Sequence, residues 1–252
     1  MKIAIGIRTC NSSLNYWNSE RIIDVNKSTL ILTCINSLLK SAKKSNNEIV
    51  FSIHDDNSDE DFLNKLDKLF KTYNFNYGLF HTEKLKNFAS QYDWCKKQKC
   101  DFVYCVEDDY LHTEDCLDDM VDVCVMMTQF WPGVYAVFPF NCAHRYMSPQ
   151  NLEQSYLIKG TKQYWRSVNQ STHSFFVSKK TFDAYDDIMK YQAYNWPDKY
   201  AMEHHTINQV WQGGQVRLLC PVNSLAIHMA DKSQEEPFLD WKQLWNKNLI
   251  EG

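Results

Sequence analysis

An apolar run from Phe102 to Val106 ends abruptly in three consecutive carboxylates, Glu107, Asp108 and Asp109. Adjacent like charges at the end of a strand are costly unless something neutralises them. Hard divalent cations such as Mg2+ or Mn2+ do so through oxygen ligands, and they commonly bring a phosphate with them. An acidic loop capping the next helix is the alternative, because acids favour helix N-termini. Polar groups also close two other apolar runs: Arg8 and Thr9 after the opening one, and Asp55 and Asp56 ahead of Asn57, Ser58 and Asp59. In the second half, Asp198, Glu203 and His204 gather around a helix start, and His228 follows the run Leu225 to Ile227. A carboxylate or imidazole there can take a proton from a hydroxyl, and imidazole also suits Mn2+. The plainer uses are a first-turn acid for Glu203, an Asx-rich turn for Asp55 and Asp56, and a hydrogen-bonded structural residue for His228.

The elements that must position these groups alternate. Residues 2–7 read as a strand, and 28–44 as a helix with Leu30, Ile31, Cys34, Leu38 and Leu39 at helical spacing. Strands over 48–54, 75–81 and 101–107 alternate with helices over 60–72 and 87–99. Beyond them the pattern predicts a helix over 115–130, a strand over 134–138, an irregular stretch over 141–170 and a strand over 174–177. Helices over 180–190 and 203–212 follow, the second stopped by Gly213 and Gly214, with strands over 215–219 and 226–228. Such alternation predicts an α/β domain with a mostly parallel central sheet flanked by helices. Ligands of these sheets bind beyond the carboxyl ends of the strands. Parallel strands would bring Arg8 and Thr9, Asp55 and Asp56, and the acidic triplet to one edge.

A chain of 252 residues with 44% hydrophobic and 14% aromatic content can bury a large core. No repeat or linker divides it, so one domain over 1–252 is expected. The net charge of −4 supplies no global basic field for nucleic acid or an anionic membrane. No apolar run approaches the roughly 18–20 residues that span a bilayer, and the opening strand is too short for a signal sequence. The nine cysteines form no CxxC pair, so reduced core thiols are expected rather than zinc sites or disulfides. These features predict a cytoplasmic protein.

Together the motifs resemble those of a nucleotide-sugar-dependent glycosyltransferase of the GT-A fold, closest in pattern to the family 2 type. Arg8 to Asn11 resembles the first-strand loop that borders the nucleobase. His54 to Asp59 resembles the second-strand loop in which a carboxylate accepts the imide N–H of uracil. Phe102 to Asp109 resembles the DxD-type element that holds the metal and the donor diphosphate, and the helix over 87–99 falls where that family places one. The clear resemblance covers roughly residues 1–130. It implies a single Rossmann-like GT-A domain with a smaller acceptor-side subregion: 1–130 for the donor, 131–252 for the acceptor, ending in a helix.

The resemblance further implies Mn2+ or Mg2+ as cofactor with Glu107, Asp109 and His228 as ligands, although Glu in the first place departs from the commoner pattern. It implies donor binding by Arg8, Thr9, Asp55, Asp56 and Asp108. Glu203 is the first candidate for the catalytic base, followed by His204 and Asp198; where an acidic pair is usual, this chain has Glu203 and His204. Tyr164, Trp165, His173 and Trp196 are candidates to line the acceptor or sugar pocket. The implied reaction moves a hexosyl or pentosyl group from a nucleotide sugar, a UDP-sugar being favoured, to an acceptor hydroxyl with inversion. The acceptor is expected to be a glycan or similar, with a hydroxymethylated DNA base as the alternative suggested by Lys84, Lys86, Lys96 and Lys97. Two other classes compete. A nucleotidyltransferase would share the acidic strand ends but needs a Gly-rich basic loop, which Ile7 to Ser13 lacks. A non-catalytic glycan- or nucleotide-binding module would bind without turnover. Trp241 and Trp245, one helical turn apart, predict a C-terminal helix packed on the domain, or a lid or dimer contact.

Overall fold

Ile3, Ala4, Ile5 and Ile7 are all buried, which requires the opening strand to be covered on both faces. A computed structural model, describing residues 1–12, 21–130, 134–141, 155–214, 216–230, 232 and 239–250, supplies that cover. Strand β1 (Lys2–Thr9) pairs in parallel with β2 (Glu48–Asp56) on one side and β4 (Phe102–Glu107) on the other, and β3 (Tyr77–Thr82) extends the parallel set beyond β2. On the far side of β4 the sheet becomes mixed. There β9 (Phe175–Ser178) runs antiparallel between β4 and β6 (Val134–Val137). Parallel to β6 lies β10 (Val216–Pro221), followed by the antiparallel β8 (Tyr164–Val168) and β7 (Leu157–Lys159). The order across the nine strands is β3-β2-β1-β4-β9-β6-β10-β8-β7.

Helix α1 (Lys27–Lys44) begins where Asn26 accepts from the Thr29 N–H, and its residues from Thr29 to Leu39 are buried. Helix α2 (Glu60–Thr72) is capped by Asp59, whose Oδ1 accepts from the Phe62 N–H at 2.8 Å, and it buries Phe62, Leu66, Leu69 and Phe70. Helix α3 (Asn87–Lys97) comes so near β1 that a Cβ at Gly6 would stand 2.9 Å from Gln91 Cγ and 3.2 Å from Cys95 Sγ. Gln91 turns that closeness to use by donating to the Gly6 and Val106 carbonyls at 2.6 and 3.3 Å, which ties β1 to β4 just before their carboxyl ends. Helix α4 (Cys116–Phe130) follows the acidic strand end.

The structure departs from the sequence pattern in four places. The stretch over 141–170 contains β7 and β8, whose strand character depends on pairing with β10. The helix expected over 180–190 is two, α5 (Lys179–Ala184) and α6 (Asp186–Asn195), broken at Tyr185, where φ is −111° and ψ 28°. The helix expected over 203–212 is a single 3-10 turn, Glu203–His205, then α7 (Ile207–Gln212). Between them Thr206 leaves helical geometry at φ −126° and ψ −101°, and its hydroxyl donates to the Met202 carbonyl at 2.9 Å. An unexpected strand, β5 (Tyr110–His112), pairs antiparallel with β11 (Ala226–His228) as a separate two-stranded sheet.

Trp241 and Trp245 are buried in α8 (Trp241–Asn248), and the Asn248 carbonyl accepts from Asn36 of α1 at 2.8 Å, so this helix packs on the domain. Among the described residues no helix is long and apolar enough to cross a membrane, and every described cysteine is a free thiol. Expectations touching Ser13, Cys142, residues 142–154 and Gln215 lie outside the described residues.

Candidate active site

Three parallel strands, β1, β2 and β4, deliver Thr9, Asp56 and Glu107 to one edge of the sheet. Beside them lies a cleft of about 660 Å3 lined by Cys10, Ser12, Asp56, Asn57, Glu83, Lys84 and Leu85. It adjoins a second, of about 310 Å3, lined by Asp55, Asn57, Ser58, His81, Thr82 and Glu83. Asn57, Lys84 and Leu85 hold φ values of 62°, 54° and 63° in the left-handed region, a strained shape for side-chain-bearing residues. One benefit of the turn at 84–85 is visible: the Leu85 N–H donates to Asp56 Oδ2 at 3.0 Å.

The two aspartates here differ. Both Asp55 oxygens are satisfied internally, by the Thr9 hydroxyl at 2.8 Å and the Ser58 N–H at 2.9 Å, and the side chain is fully buried. Asp55 and Thr9 therefore build the turn, and Asp55 also lines the second cleft. Asp56 is 6% exposed, and its Oδ1 is buried without a hydrogen-bond partner. Burial pushes its carboxyl above the ordinary range despite the Leu85 N–H, so an incoming donor would relieve it.

The acidic triplet divides in the same way. Asp108 Oδ2 accepts from the Cys10 N–H at 3.0 Å, linking it to the cleft wall. Burial, with the neighbouring Asp109 charge, pushes it up to about 7 against the pull of Lys27. Asp109 Oδ2 lies 3.3 Å from His228 Nε2, while its Oδ1 is buried without a hydrogen-bond partner. Burial works against ionisation there too, but His228 outweighs it and holds Asp109 below the usual carboxylate range. The β5–β11 pairing places His228 opposite Tyr110, and the two rings stack at 4.8 Å. Asp109 and His228 fit a divalent cation: one carboxylate oxygen lacks a partner, an imidazole adjoins the other, and the donor set is oxygen with nitrogen. Among the described residues no third His, Cys, Asp or Glu joins them.

Glu107 stands apart from that pair. Parallel register sets it opposite Arg8, and its Oε1 lies 3.0 Å from Arg8 Nη2. Its Oε2 accepts from the Ser174 hydroxyl at 3.2 Å, and the same hydroxyl accepts from the Glu107 N–H at 3.0 Å. Glu107 thus belongs to a different cluster from the one the DxD resemblance implies. Arg8 is buried there as well, its guanidinium 4.4 Å from the Phe88 ring centroid and 5.7 Å from that of Trp196, so it does not line the cleft. His173 Nδ1 completes the group, 3.3 Å from Glu203 Oε1 and 3.9 Å from Glu107 Oε1. Burial and then the Arg8 charge lower His173 to about 3, so its imidazole is neutral and its contact with Glu203 is not an ion pair.

Of the proposed base residues, only Glu203 reaches this cluster. His204 is exposed, its ring centroid 4.0 Å from that of His205, and Asp198 is exposed and caps a 3-10 turn by accepting from the Tyr200 N–H at 2.8 Å. Trp196 and His173 lie at the site, 5.9 Å apart by ring centroids. Trp165 does not: it is 2% exposed, and a Cβ at Gly160 would stand 2.6 Å from its indole nitrogen, so it is core. Tyr164 is exposed but four strand positions from β4, roughly 19 Å away at about 4.8 Å per strand. Lys96 is tied to Asp183 and Asp186 at 3.0 and 2.9 Å, which leaves the suggested basic patch without its centre. Sequence reasoning did not find Phe88, which carries no spacing signal, nor the pairing of Arg8 with Glu107, which a parallel register argument could have found.

Residues 22–185 match the family described as Glycosyl transferase family 2. Among solved structures the chain is similar to TarS of S. aureus, at 12% identity and a TM-score of 0.53 over 90% of this chain and 36% of that one. A TarS 1–349 crystal structure aligns at 12% identity and a TM-score of 0.52, covering 86% of this chain and 58% of that one. The same TarS segment in complex with UDP-GlcNAc aligns at 13% identity and a TM-score of 0.50, covering 91% and 60%. The chain spans less than two thirds of the length of each of these structures. At such identities the likeness is one of fold, a single α/β domain of the GT-A type. No curated protein matches the chain.

Proposed function

The chain belongs to glycosyl transferase family 2, and on that premise we propose that it moves a sugar from a UDP-sugar to an acceptor hydroxyl with inversion. The observation that carries this reading is Asp109, with one oxygen 3.3 Å from His228 and the other buried without a hydrogen-bond partner, next to an Asp108 anchored to the cleft wall. Asp109 and His228 would hold Mn2+ or Mg2+, and a bound ion would neutralise charge developing on the leaving diphosphate. Asp56 Oδ1 accepts the imide N–H of uracil, a contact that cytosine, lacking that proton, cannot make. On the acceptor side, Glu203 takes the proton of the hydroxyl as its oxygen attacks the anomeric carbon and the bond to the diphosphate breaks. Trp196 adjoins Glu203 through His173 and offers an apolar wall to a sugar acceptor. Residues 1–130 serve the donor, and 131–252 the acceptor with Arg8 and Glu107 reaching across. The free thiols support a reducing compartment such as the cytoplasm.

A thermal-shift screen of UDP and UDP-sugars with and without MnCl2 tests this. A ligand that binds only the folded state raises its apparent stability. UDP and one UDP-sugar are expected to raise the melting temperature when Mn2+ is present, and Asp109→Asn to abolish that gain. Stabilisation that ignores both the metal and this substitution would sink the proposed site.

A further inference from the structure

Glu107 occupies the first place of the acidic triplet, where resemblance makes it a metal ligand, yet neither of its oxygens faces Asp109 or His228. One oxygen meets Arg8 at 3.0 Å, and the other accepts from Ser174 at 3.2 Å. From this geometry we infer that Glu107, with Arg8 and His173, is a positioning residue for Glu203 and not part of the metal site. The inference rests on the reading of Glu203 as the base.

Four observations carry it. Carboxylates only accept, so a His173 Nδ1 that faces both Glu203 and Glu107 must bear the proton of the neutral ring. Nδ1, 3.3 Å from Glu203 Oε1, restricts where that oxygen can sit and leaves Oε2 to meet an acceptor. Arg8 Nη2 lies 3.0 Å from Glu107 Oε1, so a cation adjoins the small volume that the two carboxylates share. Phe88 and Trp196 fix the planes of the other two members: Arg8 lies 4.4 and 5.7 Å from their ring centroids, and His173 lies 4.8 and 5.9 Å from them. Finally, the anchors are backbone features. Arg8 and Glu107 are register partners of β1 and β4, and Ser174 is held against the Glu107 N–H. The Arg8–Glu107 pair is therefore anchored by the sheet.

Three measurements test the assignment. In thermal-shift assays with UDP and MnCl2, Glu107→Gln is expected to keep the wild-type gain that Asp109→Asn loses. With the UDP-sugar that stabilises the wild type most, Glu107→Gln and His173→Ala are expected to lower kcat roughly 10- to 100-fold while changing the donor KM less than about threefold. His173→Asn, whose side-chain amide can replace the Nδ1–H donor, is expected to recover part of that loss. In 15N-resolved imidazole spectra, His173 is expected as the Nδ1–H tautomer at pH 7, with the Nδ1 resonance displaced by Glu203→Gln. Should Glu107→Gln fail to fold, Arg8→Met/Glu107→Gln removes both charges and takes its place.

Loss of the Mn2+-dependent UDP gain in Glu107→Gln, or an Nε2–H tautomer at His173, overturns the positioning role alone. A wild type that gains no stability from UDP or any UDP-sugar overturns instead the donor reading beneath it.

Discussion

A buried carboxylate oxygen without a hydrogen-bond partner costs about 1–3 kcal/mol or more, and two such atoms, Asp56 Oδ1 at the end of β2 and Asp109 Oδ1 just past β4, lie on either side of β1. Their neighbour Asp55, equally acidic in sequence, has both oxygens satisfied and carries no such tension. The difference makes a prediction at Asp56. Replacing it by Asn removes a buried, under-solvated charge but offers an amide in place of an acceptor pair. Asp56→Asn is therefore expected to unfold no earlier than wild type on heating, while UDP binds about tenfold or more weakly in titration calorimetry, since a hydrogen bond to a charged group is worth about 1.5–3 kcal/mol. Trp165 makes the opposite case. Its aromatic ring is core, so Trp165→Ala is expected to cost about 3–5 kcal/mol in urea unfolding and to leave the UDP affinity of the remaining folded protein unchanged.

Between elements, the decisive contact is the approach of α3 to β1 at Gly6. Gly6→Ala puts a methyl group 2.9 Å from Gln91 Cγ, and overpacking of this kind costs roughly 1–3 kcal/mol. Because Gln91 also bridges the Gly6 and Val106 carbonyls, the same variant is expected to lower activity by shifting Arg8 against Glu107, which a paired measurement of urea midpoint and kcat would separate. At the start of α2, Asp59 caps Phe62 and also accepts from Asn11 Nδ2 at 2.6 Å. Asp59→Ala is expected to lose about 1 kcal/mol from the cap and to loosen the Arg8–Asn11 loop, seen as faster amide exchange there. Caps and apolar spacing are local, so α1 and α2 were legible in the sequence nearly to the residue. The strands β5 and β11, three residues each, were not equally so: β11 was found from its apolar run, but β5 exists as a strand only through pairing with it. Likewise 203–212 has helical composition, yet the Thr206 hydroxyl competes for the Met202 carbonyl and the helix breaks.

Across the whole molecule, two buried histidines outside the proposed metal pair set a pH dependence. His54 is hydrogen-bonded to Ser52 and Ser90, and His112 to Tyr104, all at 2.8 Å. Burial pushes each of them down to about 3. Since the unfolded chain protonates near 6.5, it binds more protons than the folded one between about pH 3 and 6.5. Their neutral burial therefore costs nothing above pH 6.5, and stability is lost as pH falls from there towards 3. Each is expected to cost about 2 kcal/mol at pH 5 relative to pH 7, measurable as a falling urea midpoint. His54→Gln should reduce that slope.

Along the chain one can already read the α/β alternation, a central sheet with polar strand ends, and the family to which those ends point. Periodicity, capping and the abrupt change from apolar to acidic at Val106 and Glu107 are local properties that need no partner. Tertiary contacts alone set which neighbour each acid meets. Parallel register sets Arg8 against Glu107, the pairing of β11 with β5 carries His228 to Asp109, and the loop before β9 brings His173 to Glu203. Glu107, Asp108 and Asp109 are chemically almost alike along the chain. What distinguishes them is which long-range neighbour each side chain meets, and that is settled when the strands pair.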